Sequence, residues 1–139
     1  MQTLFECKVK YQKVLENGKE KVVNETYLLD AVSFTDAEKR IHEEMEKFIS
    51  GEFVVLAIKR ANYSEIIETE GDTWYKGKVV HMSLDENAAK EKKVSSYVLV
   101  GADNVDKAFS NINEAFSDMV VDFTIEGITD SKIMDYFQS

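Results

Sequence analysis

An α+β fold of two tandem β-β-α-β repeats, related by a pseudo-twofold and built on mainly antiparallel sheet with two helices, is predicted by three features of this 139-residue sequence. Phe5, Cys7, Val9 and Tyr11 alternate with Glu6, Lys8, Lys10 and Gln12, the period of two that a strand shows when it buries one face. Ala37, Ile41, Met45, Phe48 and Ile49 step by threes and fours, the period of an amphipathic helix. Finally, shifting the sequence by 70 brings like patterns together in the same order. Phe5 meets Tyr75, Lys8 meets Lys78, Val9 meets Val79, Tyr27 meets Tyr97, Phe53 meets Phe123 and Ile58 meets Ile128, while Ala37 and Ile41 meet Ala108 and Ile112 one residue later. The reading is a first repeat over 1–69 and a second over 72–139, joined at Glu70-Gly71-Asp72 and packed as one compact unit.

Each element has its own signal. Leu4 to Val14 reads as a strand, and Glu16-Asn17-Gly18-Lys19 as a tight turn, because Asn-Gly tolerates the positive φ a short hairpin demands. A second strand ends in Tyr27-Leu28-Leu29. Thr35-Asp36-Ala37-Glu38 matches a capping box, with Ser33 just upstream, and Ser50-Gly51 offers a glycine cap at the helix end. Phe53 to Ile58 reads as a buried strand extended through Tyr63 toward Ile67. In the second repeat, Trp74 to Leu84 and Val94 to Val100 form a hairpin around a polar loop from Asp85 to Lys93. A helix from Asp103 or Asn104 to about Met119 follows, with Ala108, Phe109, Ile112, Ala115, Phe116 and Met119 inward. Strands at Val121 to Ile128 and Ile133 to Phe137 close the pattern.

Composition bounds the function. Eight Phe, six Tyr and one Trp argue for an ordered chain. A net charge of −9 repels a polyanion, so duplex nucleic acid is not expected as a partner. No apolar run approaches the roughly 18 to 20 residues of a membrane span, and the start carries no basic and apolar leader pattern. With a single cysteine, Cys7, no internal disulfide can form, and the expected setting is a reducing cytoplasm.

Recognisable reaction chemistry is missing from the sequence. His42 and His81 fall at different places in the repeat, and His81-Met82-Ser83 matches only half of the paired His-x-Ser/Thr motifs of two-histidine phosphoesterases. Cys7 lies on the apolar phase of its strand and reads as a small buried hydrophobe. No spacing fits zinc or calcium, and six scattered glycines make no phosphate loop, so no cofactor and no metal are expected. The remaining material is a set of basic and aromatic residues on paired strands: Lys8, Lys10, Arg60, Tyr63, Trp74, Lys76 and Lys78. Stacking rings beside cations suit a planar anion; the plainer reading is a solvated strand surface.

Phe5-Glu6-Cys7-Lys8-Val9, Ser33-Phe34-Thr35-Asp36-Ala37-Glu38, Ile49-Ser50-Gly51-Glu52-Phe53, Ile58-Lys59-Arg60-Ala61, Trp74-Tyr75-Lys76 and Leu84-Asp85-Glu86 together resemble an uncharacterised family of Bacteroidetes bacteria and their phages, domain of unknown function 4494. That resemblance covers almost the whole chain and implies a bacterial or phage origin without supplying an activity. The expectation is a non-enzymatic binding module, phage-encoded, that sequesters a small nucleotide-like anionic ligand as an immune-signal sponge. The alternatives are a protein-interaction or structural module with a host or phage protein as partner, and a phosphodiesterase-type enzyme using His81 and Ser83. Assembly as a homodimer is expected, since twofold assemblies are the commonest.

Overall fold

The computed structural model describes residues 3–87, 89–120 and 122–139. The chain is α+β, with two helices and two four-stranded, mainly antiparallel sheets. In order the elements are β1 (Thr3–Val14), β2 (Glu20–Ala31), α1 (Phe34–Phe48), β3 (Phe53–Arg60), β4 (Glu65–Ile67), β5 (Thr73–Asp85), β6 (Lys90–Ala102), α2 (Val105–Ala115), β7 (Phe123–Asp130) and β8 (Ile133–Phe137).

One sheet has the order β3-β1-β2-β8 and the other β4-β6-β5-β7. Each is a hairpin flanked by an antiparallel strand on one side and a short parallel strand on the other. The parallel strands are exchanged along the sequence: β4 pairs with β6 of the second hairpin, and β8 with β2 of the first. The chain accordingly groups into one unit made of its start up to Asn62 with Ile133–Ser139, and another made of Tyr63–Lys132.

In the first unit, the phase predicted to be buried is buried. Phe5, Cys7, Val9, Leu29 and Ala31 of the sheet pack against Ala37, Ile41 and Met45 of α1. Removing such side chains from water is the main favourable term in folding, roughly 1.5 to 3 kcal/mol for each large one. The second unit packs Val79, Val98, Val100 and Ala102 against Ala108 and Ile112 of α2, with Ile67 of β4. At the first hairpin Gly18 takes φ +81°, and the Leu15 carbonyl accepts from Gly18 N–H while Leu15 N–H donates to Lys19, as the Asn-Gly signal predicts.

Several element boundaries differ from expectation, each for a local reason. Helix α1 is capped by Ser33 instead of Thr35: the Ser33 hydroxyl accepts from Asp36 N–H, and the Asp36 carboxylate accepts from Val32 N–H. Its end is Ile49, in extended conformation, with no left-handed glycine at Gly51. Phe48, assigned to the inward stripe, is 67% exposed: the buried positions Ala37, Ile41 and Met45 continue at Ile49, and Phe48 lies on the flank, stacked 6.1 Å from Phe137. Helix α2 stops at Ala115, short of Met119; Phe109, Ala115 and Met119 are exposed, and Asn111 joins Ala108 and Ile112 on the buried side. The Asn111 amide donates to the Gly101 carbonyl at 3.1 Å, which satisfies the buried polar group. The second hairpin is longer than predicted, with Asp85 paired to Lys90, because its arm is solvated on both faces and hydrophobic alternation is lost there. Ala88, in that predicted loop, and Val121, the predicted start of the seventh strand, lie outside the described residues.

Candidate functional site

Strand β5 places Trp74, Lys76 and Lys78 on one phase, opposite Tyr75 and Val79, which pack toward α2. Lys76 Nζ lies 4.5 Å from the centroid of the Tyr97 ring and 6.0 Å from that of Tyr63, so its charge is held against two π faces. Lys78 Nζ sits 3.3 Å from Glu126 Oε1, and Lys93 Nζ 2.9 Å from Glu126 Oε2. The hydrogen bond from Lys93, ahead of that from Lys78, holds the Glu126 carboxyl below the usual glutamate range. One carboxylate thus answers two of the nearby ammonium groups, leaving less positive field for a bound anion. Trp74 is half-buried, and its carbonyl accepts from the backbone and hydroxyl of Ser131.

In the first unit the basic residues divide between two faces. Lys8 and Lys10 are exposed on the side of β1 away from α1. Arg60 stands opposite Phe5 in the ladder, on the α1 side, with its guanidinium 5.6 Å from the Phe34 ring. The cause is a bulge. Lys8 pairs with Ala57 and Val9 with Val55, which leaves Leu56 as an extra residue. One inserted residue reverses the face of everything beyond it, so Ile58 and Arg60 point toward the helix, where uninterrupted alternation would place Ala57 and Lys59. Lys8 instead shares a shallow hollow of about 340 Å³ with Lys59, Glu6, Thr26 and Ala57, and Lys59 is 3.6 Å from the Glu6 carboxylate.

The same bulge shapes a feature that periodicity missed. The apolar run Phe53 to Ile58 predicts a buried strand, yet among the described residues β3 pairs with β1 alone and lies at the sheet edge. Val54 is 57% exposed and Leu56 48%. Together with Val14, Val22, Lys10 and Glu52 they line a groove of about 670 Å³ on the side away from α1. A run of six apolar residues is read equally well as a central strand, and only the pairing partner decides. The predicted continuation of β3 toward Ile67 is also replaced: β3 ends at Arg60, and Ser64 N–H donates to the Tyr97 carbonyl to start β4 in the other sheet.

Other reactive groups are structurally engaged. Cys7 is fully buried, and burial pushes its thiol up to about 12, so it is protonated at neutral pH. The Tyr11 and Tyr27 hydroxyls both donate to Glu25 Oε1, at 2.6 and 2.9 Å. His42 lies against Phe53, with ring centroids 5.2 Å apart. His81 stands between Val94 and Phe123 in the ladders, neither of which can transfer a proton. Among the described residues, no three His, Cys, Asp or Glu side chains converge in a way that could hold a metal ion. No described helix is long and apolar enough to cross a membrane.

No curated protein and no solved structure matches the chain. A family model does match, over residues 3–139, and with nearly the whole chain covered the protein belongs to the family described as Domain of unknown function (DUF4494).

Proposed function

We propose that this protein is a non-enzymatic binding module that acts by contact with another polypeptide, through the β3 edge and the groove beside it. The observation that carries this reading is the exposed pair Val54 and Leu56 on an unpaired strand edge. Folded proteins guard such edges with charge, proline or short length, because free N–H and C=O groups beside apolar side chains template further pairing. Strand β3 has eight residues and no charge before Lys59. Val14, Val22, Val54 and Leu56 give the groove an apolar strip, and beside it Lys10 is the one basic residue against Glu20 and Glu52, a surface suited to a protein segment more than to an anion.

A second reading, capture of a small nucleotide-like anion in a bacterial or phage setting, draws support from Lys76 over Tyr97 and from the hollow shared by Lys8 and Lys59. It requires Lys78 to exchange Glu126 for ligand. The matching sheet orders and bulges of the two units further support descent from one duplicated β-β-α-β unit.

Native mass spectrometry separates these readings. A polypeptide mass added to the 15.9 kDa chain, and lost in Leu56→Glu, supports the β3 surface. A small co-purifying mass lost in Lys76→Ala/Lys78→Ala supports the anion site and counts against the polypeptide reading. A bare chain at micromolar concentration contradicts both.

A further inference from the structure

We infer that the polypeptide received at this edge is a second copy of the same chain, joined by antiparallel β3–β3 pairing about a twofold axis between Val55 and Leu56. The inference rests on the reading of β3 as the contact surface and adds the partner's identity and register.

Of the four edge strands, β4 and β8 are short, with three and five residues. Strand β7 has the length of β3, but its polar sequence includes Glu126 at the bulge and Asp130 at its end. Strand β3 alone is long and apolar among these described edges.

The register follows from the bulge. In an uninterrupted strand, two copies paired antiparallel match faces only when the paired residue numbers have an even sum. The extra Leu56 reverses the phase midway, so that Phe53, Val55, Ile58 and Arg60 share the α1 side while Val54, Ala57 and Lys59 share the other. Faces then match at an odd sum. Phe53 meets Ile58 of the second copy and Val54 meets Ala57, apolar pairs on both sides of the sheet. Glu52, which lines the groove with Val54, meets Lys59 of the second copy at each end. Lys59 is free to make this contact: its side chain is 74% exposed and its bond to Glu6 is 3.6 Å long. The strand is thus self-complementary in charge although the whole chain carries −9. Eight residues of new ladder span about 27 Å.

Analytical ultracentrifugation of the full chain over a concentration series tests this. Wild type should sediment as a dimer, and Leu56→Glu as a folded monomer with unchanged circular dichroism. Glu52→Lys and Lys59→Glu should each weaken the dimer about tenfold or more by placing like charges together, and the double variant should recover most of the loss. A monomeric wild type overturns the inference, and so does a dimer indifferent to Leu56→Glu or a double variant no better than the singles. A different polypeptide bound to wild type and lost in Leu56→Glu overturns the second-copy assignment while leaving the β3 surface intact.

Discussion

Leu56 and Glu126 hold the same position in two different sheets: each is the extra residue where the outer antiparallel strand bulges against its hairpin. Glu126 is clasped by Lys78 and Lys93, whereas Leu56 stands exposed. A charge at such a point blocks a neighbouring strand, because pairing there would strip water from an ion. The second unit therefore has a guarded edge and the first an open one.

Replacing the guard should open the second edge. Glu126→Leu is expected to fold, since the position is solvated, but to form concentration-dependent oligomers larger than those of wild type. Light scattering across a dilution series checks this, and Glu126→Gln should show a weaker form of the same effect. Because the folded carboxyl is held below its ordinary range, the ion pairs contribute above the unfolded glutamate value and are lost as pH falls through the folded one. Association of wild type through β7 should accordingly appear in acid and be absent at neutral pH.

The half-buried pair Tyr11 and Tyr27 should titrate late. Burial first, then the hydrogen bond to Glu25, pushes Tyr11 up to about 12 and Tyr27 higher still. The folded state thus favours the neutral phenol. Its contribution is complete below the unfolded tyrosine value of about 10 and disappears as pH rises through the folded values. Absorbance at the phenolate band should show two phenols ionising above the ordinary tyrosine range, with stability falling over the same alkaline range. Glu25→Ala should bring both titrations down and cost about 1 to 3 kcal/mol in chemical denaturation, since it removes the acceptor for two half-buried hydroxyls.

Gly101 admits no side chain. A Cβ there would lie 2.0 Å from the Thr69 carbonyl oxygen, and the Gly101 carbonyl itself accepts from Thr69 and Asn111. Gly101→Ala should lower stability by about 2 kcal/mol or more, read as a lower denaturation midpoint. Asn111→Leu should lose less, because Thr69 still serves the same carbonyl.

Local pattern carries far in this chain, and pairing choice carries the rest. Phe5, Cys7, Val9 and Tyr11 announce their strand and its buried face, and Ala37, Ile41 and Met45 announce the helix that covers it. Nothing in the composition of Glu65–Ile67 or Ile133–Phe137 says which hairpin each will join, since that depends on contacts distant in sequence. Arg60 shows the same limit at the candidate site. Counting by twos from Phe53 puts it beside Lys8 and Lys10, and one bulged residue sends it to the other face. Phe48 and Phe109 fit a stripe read by threes and fours yet lie exposed, because the buried positions run through Ala37, Ile41 and Met45 and through Ala108 and Ile112, leaving each phenylalanine on the flank of its helix.

The most direct measurement is amide hydrogen exchange over Phe53–Ile58 in wild type and Leu56→Glu, at a concentration where wild type is associated. If β3 is the contact strand, amides of this segment that β1 leaves free are slowed in wild type and exchange fast in the variant, while β7 behaves alike in both. Equal, fast exchange of those amides in the two proteins would contradict the account.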